Sequence, residues 1–384
     1  MRNVLVIINL ASSARNFIGD QFSYLREKGY NMHLICSGDS TLKDFAEKQQ
    51  IEYEAVPLNR QLSLVSDVKA LIRICQFIRS HHIDTIIAHQ VKSRLLGVTA
   101  ARIMGVKHII IFAHGAVFET MKGLKKRLLL LESKYEVLMS HKTICVSNYI
   151  KQLRLRFKIE KEKRQIILGA GTCNGIDTQS LFNPQKVSKK KKIEAMRKMG
   201  IEDNDFVIGF VGRLVRDKGV IELLEAFSIL QRHSGSRNIK LMIVGAPEKR
   251  DGLPQHILTM LQNNPSILYV GKVRYEEMPL IYSLMSILVL PSHREGFGMC
   301  NIEAQAMGVP VLTTSYTGCV DSIIDKQTGF YISNDPEDIA RKMGIFFDDD
   351  LRTKMGNNGR EWVCDNFDHS LIWPYIASVL ESIS

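Results

Sequence analysis

The chain has 384 residues, 45% of them hydrophobic, and carries 51 Lys+Arg against 40 Asp+Glu, a formal net charge of +11. That length allows two domains with real cores, and that hydrophobic fraction is the one expected of a globular protein. No run approaches the roughly 20 apolar residues of a membrane span. The opening Met1-Arg2-Asn3 followed by VLVIINL is too short and too sheet-like for a cleavable leader. Seven cysteines without a C-x-x-C spacing read as reduced thiols of a cytosolic protein, with Cys36, Cys75 and Cys145 as small core residues.

Taken in order, the first half alternates between the period of a strand and that of a helix. Val4–Leu10, Met32–Cys36, Glu52–Pro57, Thr85–His89, His108–Phe112 and Thr143–Val146 predict strands. Between them, helices are expected at Asn16–Lys28, Ser66–His82, Ser93–Met104 and Phe118–Ser140. This βα alternation predicts a doubly wound parallel sheet. Strand one is not followed by G-x-G-x-x-G, so a dinucleotide site is not expected there. A loop of small residues, Ala11 to Arg15, follows it instead and includes Ser12 and Ser13. His114-Gly115 lies just beyond the strand ending at Phe112, and His89 ends the strand before. His81 and His82 read as solvent-exposed.

Pro184 and the lysines at 186 and 189–192 mark a solvated linker or helix start. The second half then predicts strands at Phe206–Val211, Lys240–Val244, Leu268–Val270, Ile287–Leu290 and Val311–Thr313. Gly212-Arg213 and Lys218-Gly219 follow the first of these and lead into a helix at Val220–Gln231, a cationic, glycine-bounded loop suited to a diphosphate. Pro291 ends the strand Ile287–Leu290. Glu295-Gly296-Phe297-Gly298 comes next, and a helix near Asn301 carries Glu303. Glycines let backbone amides approach a ligand, and a helix start favours negative charge. Strand, glycine loop, acid and helix together describe a site at the carboxyl edge of a parallel sheet. Asp348-Asp349-Asp350 reads as a helix cap rather than a metal site.

These motifs, G-R-L-x-x-x-K-G and then E-G-F-G-x-x-x-x-E, resemble glycosyltransferase family 4, retaining enzymes of GT-B architecture. The resemblance covers nearly the whole chain. It implies an α/β protein of two Rossmann-like, doubly wound domains facing a central cleft. The domains expected are 1–182 for the acceptor, a linker at 183–205, 206–368 for the nucleotide-sugar, and a final helix at 369–384 packing back on the first domain. It further implies that Arg213 and Lys218 hold the donor diphosphate, that Glu303 binds the ribose, and that Glu295 lies beside the sugar. Gly212, Gly296, Phe297 and Gly298 lend backbone to the donor, and Val273 stands where the backbone meets the base. His114 corresponds to the histidine that contacts the donor hexose, and Ser12 and Ser13 to the acceptor side. Asn174-Gly175-Ile176-Asp177 resembles the turn that closes the first domain. At Gly318-Cys319-Val320-Asp321 the family's G-x-P-E is altered, which leaves a role for Asp321 open.

The expected reaction is retaining, metal-independent transfer from a nucleotide-sugar, expected to be a UDP-sugar, with no cofactor. The E-G-F-G-M-x-N-I-E-A-Q-A-M-G form looks like capsule and O-antigen enzymes, which implies a glycan or polyprenyl-diphosphate-linked acceptor. Residues 1–185 hold 27 Lys+Arg and 15 Asp+Glu, leaving 24 and 25 to the remainder, so the positive charge sits in the acceptor half. Within it, Lys122-Gly-Leu-Lys125-Lys126-Arg127-Leu-Leu-Leu-Leu131 mixes cations with leucines and suits peripheral contact with an anionic membrane at the cytoplasmic face as well as it suits an amphipathic helix with a solvated basic edge. Nucleic acid is not an expected partner, since no aromatic-basic stripe accompanies the charge. The alternatives are a nucleotide-sugar epimerase of the same architecture, a non-catalytic sugar-nucleotide-binding module, and a transferase acting on a soluble acceptor.

Overall fold

The computed structural model describes residues 2–58, 63–233, 235, 237–248 and 251–383. Met1 and Ser384, which close the expected first and last segments, lie outside them. The chain divides into two compact units, Met1–Gly175 with Ser370–Ser384, and Ile176–His369. The first division falls inside the Asn174–Asp177 turn, where Gly175 takes φ +70°.

The first unit is built on seven parallel strands: β1 Arg2–Leu10, β2 Tyr30–Ser37, β3 Glu52–Ala55, β4 Thr85–His89, β5 His108–Ala113, β6 Lys142–Cys145 and β7 Gln165–Ile167. Their order is β3-β2-β1-β4-β5-β6-β7. Helices cover both faces, so the central strands are apolar throughout rather than alternating. Val4 to Ile8 of β1 are at most 2% exposed. Cys36 and Cys145 are core residues, Cys75 is half-buried, and all seven cysteines are unpaired.

The second unit holds six parallel strands: β8 Phe206–Val211, β9 Ile239–Val244, β10 Ile267–Gly271, β11 Ile287–Leu290, β12 Val311–Thr314 and β13 Gly329–Ile332, in the order β10-β9-β8-β11-β12-β13. Its core gathers Phe210, Phe227, Leu241, Val289 and Phe346. Residues 183–205, expected as a linker, fall inside this unit and carry a helix at Lys189–Met199. Ser188 caps its start by accepting from Lys191 N, and Gly200 closes it at φ +64°.

Several local expectations are corrected. The small-residue segment after β1 is helical from Ala11 to Phe17, and the chain turns at Gly19 before a second helix at Gln21–Glu27. Phe118–Ser140 is a 3-10 turn at Val117–Thr120 and then a helix at Gly123–Met139, interrupted at Met121-Lys122. Strands β7 and β13 escape the sequence pattern. The first has three residues, and the second opens on Gly329, where an added Cβ would meet Val311 O at 2.0 Å. His81 is stacked on Phe77 with ring centroids 3.8 Å apart, whereas His82 is exposed. Asp348 caps the Asp349–Phe367 helix by accepting from Leu351 N.

The last helix, His369–Ser382, completes the first unit. Ile372, Ile376 and Leu380 are buried, Arg2 donates to Leu380 O at 2.7 Å, and Trp373 Nε1 donates to Asn174 Oδ1 at 2.7 Å while its ring meets Tyr24. Replacing Trp373 by Phe keeps most of the ring and removes the donor. We expect a loss of about 1–2 kcal/mol in urea denaturation, and an unchanged midpoint would show that the indole N–H does not anchor this helix.

Candidate active site

In an open parallel sheet, ligands bind outside the carboxyl ends of the strands, where the strand order reverses. In the second unit β8 is that point, because β9 pairs with one side of it and β11 with the other. The two motifs singled out in the sequence leave β8 and β11 there. A single 3-10 turn, Arg216–Lys218, follows β8 and ends at Gly219 with φ +72°. A Cβ on Gly219 would lie 1.9 Å from Pro291 O, so the two loops touch backbone to backbone. Ser292 Oγ and His293 N both donate to Asp217 O, at 3.0 and 2.9 Å. Arg294 bonds Asp217 Oδ2 at 2.5 Å, and His293 Nε2 lies 2.7 Å from Glu222 Oε1.

Within this frame the Lys218 ammonium, on a side chain 9% exposed, is paired directly with Glu295 Oε1. Arg213 is exposed and paired with Glu248 at 2.9 Å. Gly212 precedes it, and Gly212 O is approached so closely by Gly245 that a Cβ on Gly245 would be 1.8 Å away. The loop after Glu295 is held from behind by Gly318, whose N–H donates to Glu295 O at 3.0 Å and whose missing side chain makes room for Gly296 O. The altered G-x-P-E stretch thus contributes its glycine as support, on a 3-10 turn at Gly318–Ser322. Phe297 is buried against Phe367. Gly298, at φ +88°, opens the Met299–Ala306 helix in a conformation that disfavours other residues. Inside that helix, Asn301 donates to Thr313 and Ser322, and Gln305 to Ser322 O, which fixes the helix against β12.

Glu303 lies within the same helix, 8% exposed, and accepts from Tyr282 Oη at 2.7 Å. Burial pushes its carboxyl up to about 7, against the opposing hydrogen bonds of Tyr282 and Tyr275. Val273 is half-buried after Gly271, which takes φ +75° at the end of β10.

The first unit gathers polar residues at its own point of reversal, between β1 and β4. Gln90, at φ +64°, accepts from Asn9 N through Oε1 and donates from Nε2 to Ser13 Oγ at 3.2 Å. Ser12 is half-buried one residue earlier. His114 Nε2 is 2.9 Å from His89 Nδ1, and the His89 ring stacks on Phe112. Burial, helped by the Arg94 guanidinium, pushes His114 down to about 3, and burial also lowers His89, so the pair is neutral at pH 7. Arg94 is itself held by Glu136 at 2.9 Å and donates to Phe112 O at 3.0 Å. Sequence reasoning missed Asn9, Gln90 and Arg94 here, and Asp217, Glu222 and Tyr282 in the second unit. The apolar run that ends in His89-Gln90 was the one visible signal for Gln90, and nothing local marked the others.

Two all-parallel Rossmann-like units, each with polar residues collected where its strand order reverses, define the GT-B class of glycosyltransferase architecture. Residues 191–362 match the family described as "Glycosyl transferases group 1", and residues 6–148 match "Glycosyl transferase 4-like". The capsular polysaccharide biosynthesis glycosyltransferase CapM of Staphylococcus aureus is 32% identical over 361 residues, 94% of this chain and 92% of that protein. An Escherichia coli UDP-Gal:alpha-D-GlcNAc-diphosphoundecaprenol alpha-1,3-galactosyltransferase is 26% identical, over 94% of this chain and 91% of its own. Among solved structures, Anabaena HepE in complex with UDP-glucose superposes with a TM-score of 0.81 at 17% identity, covering all of both chains. The chain therefore belongs to the group 1 glycosyltransferases, with a glycosyl transferase 4-like amino-terminal half.

The Glu303 carboxyl gives a pH signature. Its folded pKa of about 7 lies above the ordinary 4.5, so the native state binds the extra proton. Its contribution to stability is full below about pH 4.5 and is lost as pH rises through 7, at up to about 1.4 kcal/mol per pH unit. Chemical denaturation from pH 5 to 8 should show this decline, and Glu303→Gln should flatten it. An identical slope in the variant would mean that Glu303 is ionised throughout.

Proposed function

We propose that this glycosyltransferase moves a hexose or N-acetylhexosamine, with retention, from a UDP-sugar to a polyprenyl-diphosphate-linked sugar during surface polysaccharide assembly. The observation that carries the reading is the ion pair of buried Lys218 with half-buried Glu295 at the reversal point of the second sheet, beside the glycine-opened start of the Met299–Ala306 helix. A cation and a carboxylate in contact beside the glycine-opened start of a helix suit a sugar diphosphate: the cation and the helix-start backbone take the phosphate charge, and the carboxylate takes sugar hydroxyls.

In this reading Arg213 and Lys218 exchange Glu248 and Glu295 for the donor diphosphate. As the glycosidic bond breaks, negative charge grows on the leaving phosphate, and the two cations with the backbone of Gly212 and Gly296–Gly298 stabilise it without a divalent ion. A phosphate oxygen accepts the acceptor's hydroxyl proton on the same face of the sugar, which gives retention. Glu295, released from Lys218, orients the sugar. Glu303 accepts from the ribose hydroxyls and Val273 lies at the base. From the first unit, neutral His114 hydrogen-bonds a hexose hydroxyl, and Ser12 and Ser13 serve the acceptor. The relatives support the chemistry: one acts in capsular polysaccharide biosynthesis and one is a galactosyltransferase acting on a diphosphoundecaprenol-linked sugar, while HepE binds UDP-glucose.

Lys218→Ala and Arg213→Ala should each lower turnover more than roughly tenfold, through loss of a charge-assisted contact worth about 2–4 kcal/mol in the transition state. Because Lys218 and Glu295 touch, the losses in Lys218→Ala and Glu295→Ala should not add, with a coupling of about 0.5–3 kcal/mol. Wild-type rates in both cation variants would place the diphosphate elsewhere.

Membrane contact is proposed for the Gly123–Met139 helix. Leu124, Leu128 and Leu131 are 72, 57 and 63% exposed, and at 100° per residue they share an arc of about 60°. Lys122, Lys125 and Arg127 are exposed beside them, whereas Lys126 lies over the Phe157 ring. Leucines can enter the interface while the cations reach headgroups, each worth about 1 kcal/mol. No helix among the described residues is long and apolar enough to cross a membrane. Liposome sedimentation should increase with anionic lipid, fall with salt, and drop when Lys122, Lys125 and Arg127 become Glu. A protein that stays in the supernatant throughout, and that glycosylates a soluble sugar as fast as a lipid-linked one, would leave a soluble-acceptor transferase.

A further inference from the structure

Toward the opposite edge of the first sheet, three side chains converge that the transfer reaction does not use. His33 stands on β2 directly opposite Glu52 on β3. His81 follows the carboxyl end of the Leu64–Ser80 helix, which covers that face. Their ligand atoms lie within 4.8 Å of one another, and among the described residues this is the only group of three such side chains so placed.

His33 is 1% exposed, and neither of its ring nitrogens makes a hydrogen bond. A buried imidazole with two unanswered nitrogens is costly. Its Nδ1 lies 3.5 Å from Glu52 Oε2. His81 is oriented by its own surroundings: its ring stacks on Phe77, and its Nδ1 lies 3.0 Å from Phe77 O and 2.8 Å from Ser80 Oγ. A carbonyl oxygen only accepts, so in the tautomer that bonds Phe77 O it is Nδ1 that carries the proton. In the neutral ring Nε2 then bears a lone pair, and it faces Glu52 Oε2 at 3.1 Å. Two acceptors at that distance need a positive centre between them. A proton on His81 Nε2 would satisfy that pair and leave both His33 nitrogens unanswered, whereas a metal ion would bind all three groups and answer one of the two His33 nitrogens.

The geometry points to a divalent transition-metal site of the zinc class, held by His33, Glu52 and His81 and closed by solvent, which pins the edge strand β3 and the end of the Leu64–Ser80 helix to β2. Ligands about 2.0–2.2 Å from a tetrahedral ion lie about 3.3–3.6 Å apart; Glu52 Oε2 is 3.1 and 3.5 Å from the two histidines, which lie within 4.8 Å of each other and so close in slightly on an ion. Two nitrogens and a carboxylate oxygen form a donor set that zinc accepts and that magnesium or calcium, which prefer oxygen, does not. The hydrogen bond from Nδ1 to a backbone carbonyl is the usual device that orients a metal-binding histidine and raises the basicity of its other nitrogen. Glu52, on a side chain 68% exposed, leaves the remaining position open to water. The ion stabilises the unit and takes no part in sugar transfer.

The test uses full-length, tag-free protein after chelator dialysis. Titration with Zn2+ should show one tight equivalent, Co2+ should give the visible bands of a four-coordinate ion, and Zn2+ should raise the melting temperature. His81→Ala and Glu52→Gln, at half-buried and exposed positions where folding is retained, should weaken affinity more than tenfold and abolish both the bands and the thermal shift. His82→Ala, one residue away, should behave as wild type. If wild type takes up no Co2+, or if His81→Ala binds Zn2+ as tightly as wild type, the trio is an ordinary ion pair beside a buried histidine.

Discussion

Everything at the second unit's reversal point depends on two backbones touching. The loop that leaves β8 and the loop that leaves β11 meet at Gly219 and Pro291, with no room for even a methyl group between them. That contact delivers Lys218 to Glu295, and it lets Asp217 O receive both Ser292 and His293. It also explains why the lysine comes immediately before a glycine. The turn must end in a left-handed residue at the one place where a side chain would strike its neighbour. Gly318 repeats the solution behind the loop, at Gly296.

The two units manage charge in different ways. The second keeps opposite charges in contact, Lys218 with Glu295 and Arg213 with Glu248, so each cation is held in place by an acid that a stronger anion can displace. The first removes charge at its histidines: His89 and His114 are buried side by side, and burial together with the Arg94 guanidinium favours the neutral ring of each. A neutral imidazole can give and accept a hydrogen bond without attracting phosphate.

The doubly wound parallel class and most strands were legible in the sequence because strands covered on both faces are apolar throughout, and such runs as Ile287–Leu290 have no competing period; the order of the strands was not. The second unit's motifs were legible because glycines forced by backbone approach sit at fixed offsets from Lys218 and Glu295. The failures have equally local causes. The segment after β1 contains small residues that suit a loop or a helix, and the helix prevails there. Strand β7 is too short to show a period. Gln90 adopts a left-handed backbone without being glycine, so the residue at the centre of the first unit's polar network carries no mark of its conformation. Pairings between distant positions, such as His33 with Glu52 or Asp217 with Arg294, follow from strand register and loop approach, which spacing along the chain does not encode.

The placement of the final helix has a consequence for how the protein is made. The first unit owns residues from both extremes of the chain, with the whole of the second unit between them. On the ribosome, the first 175 residues emerge without the helix that supplies Ile372, Ile376 and Leu380 to their core. At about 5–20 residues per second, the entire second unit is synthesised while that apolar surface stands uncovered. The second unit, whose segment is continuous, can close first, and the unit begun earliest is finished last. Premature termination anywhere in the second unit would therefore leave the apolar surface of the first unit uncovered as well.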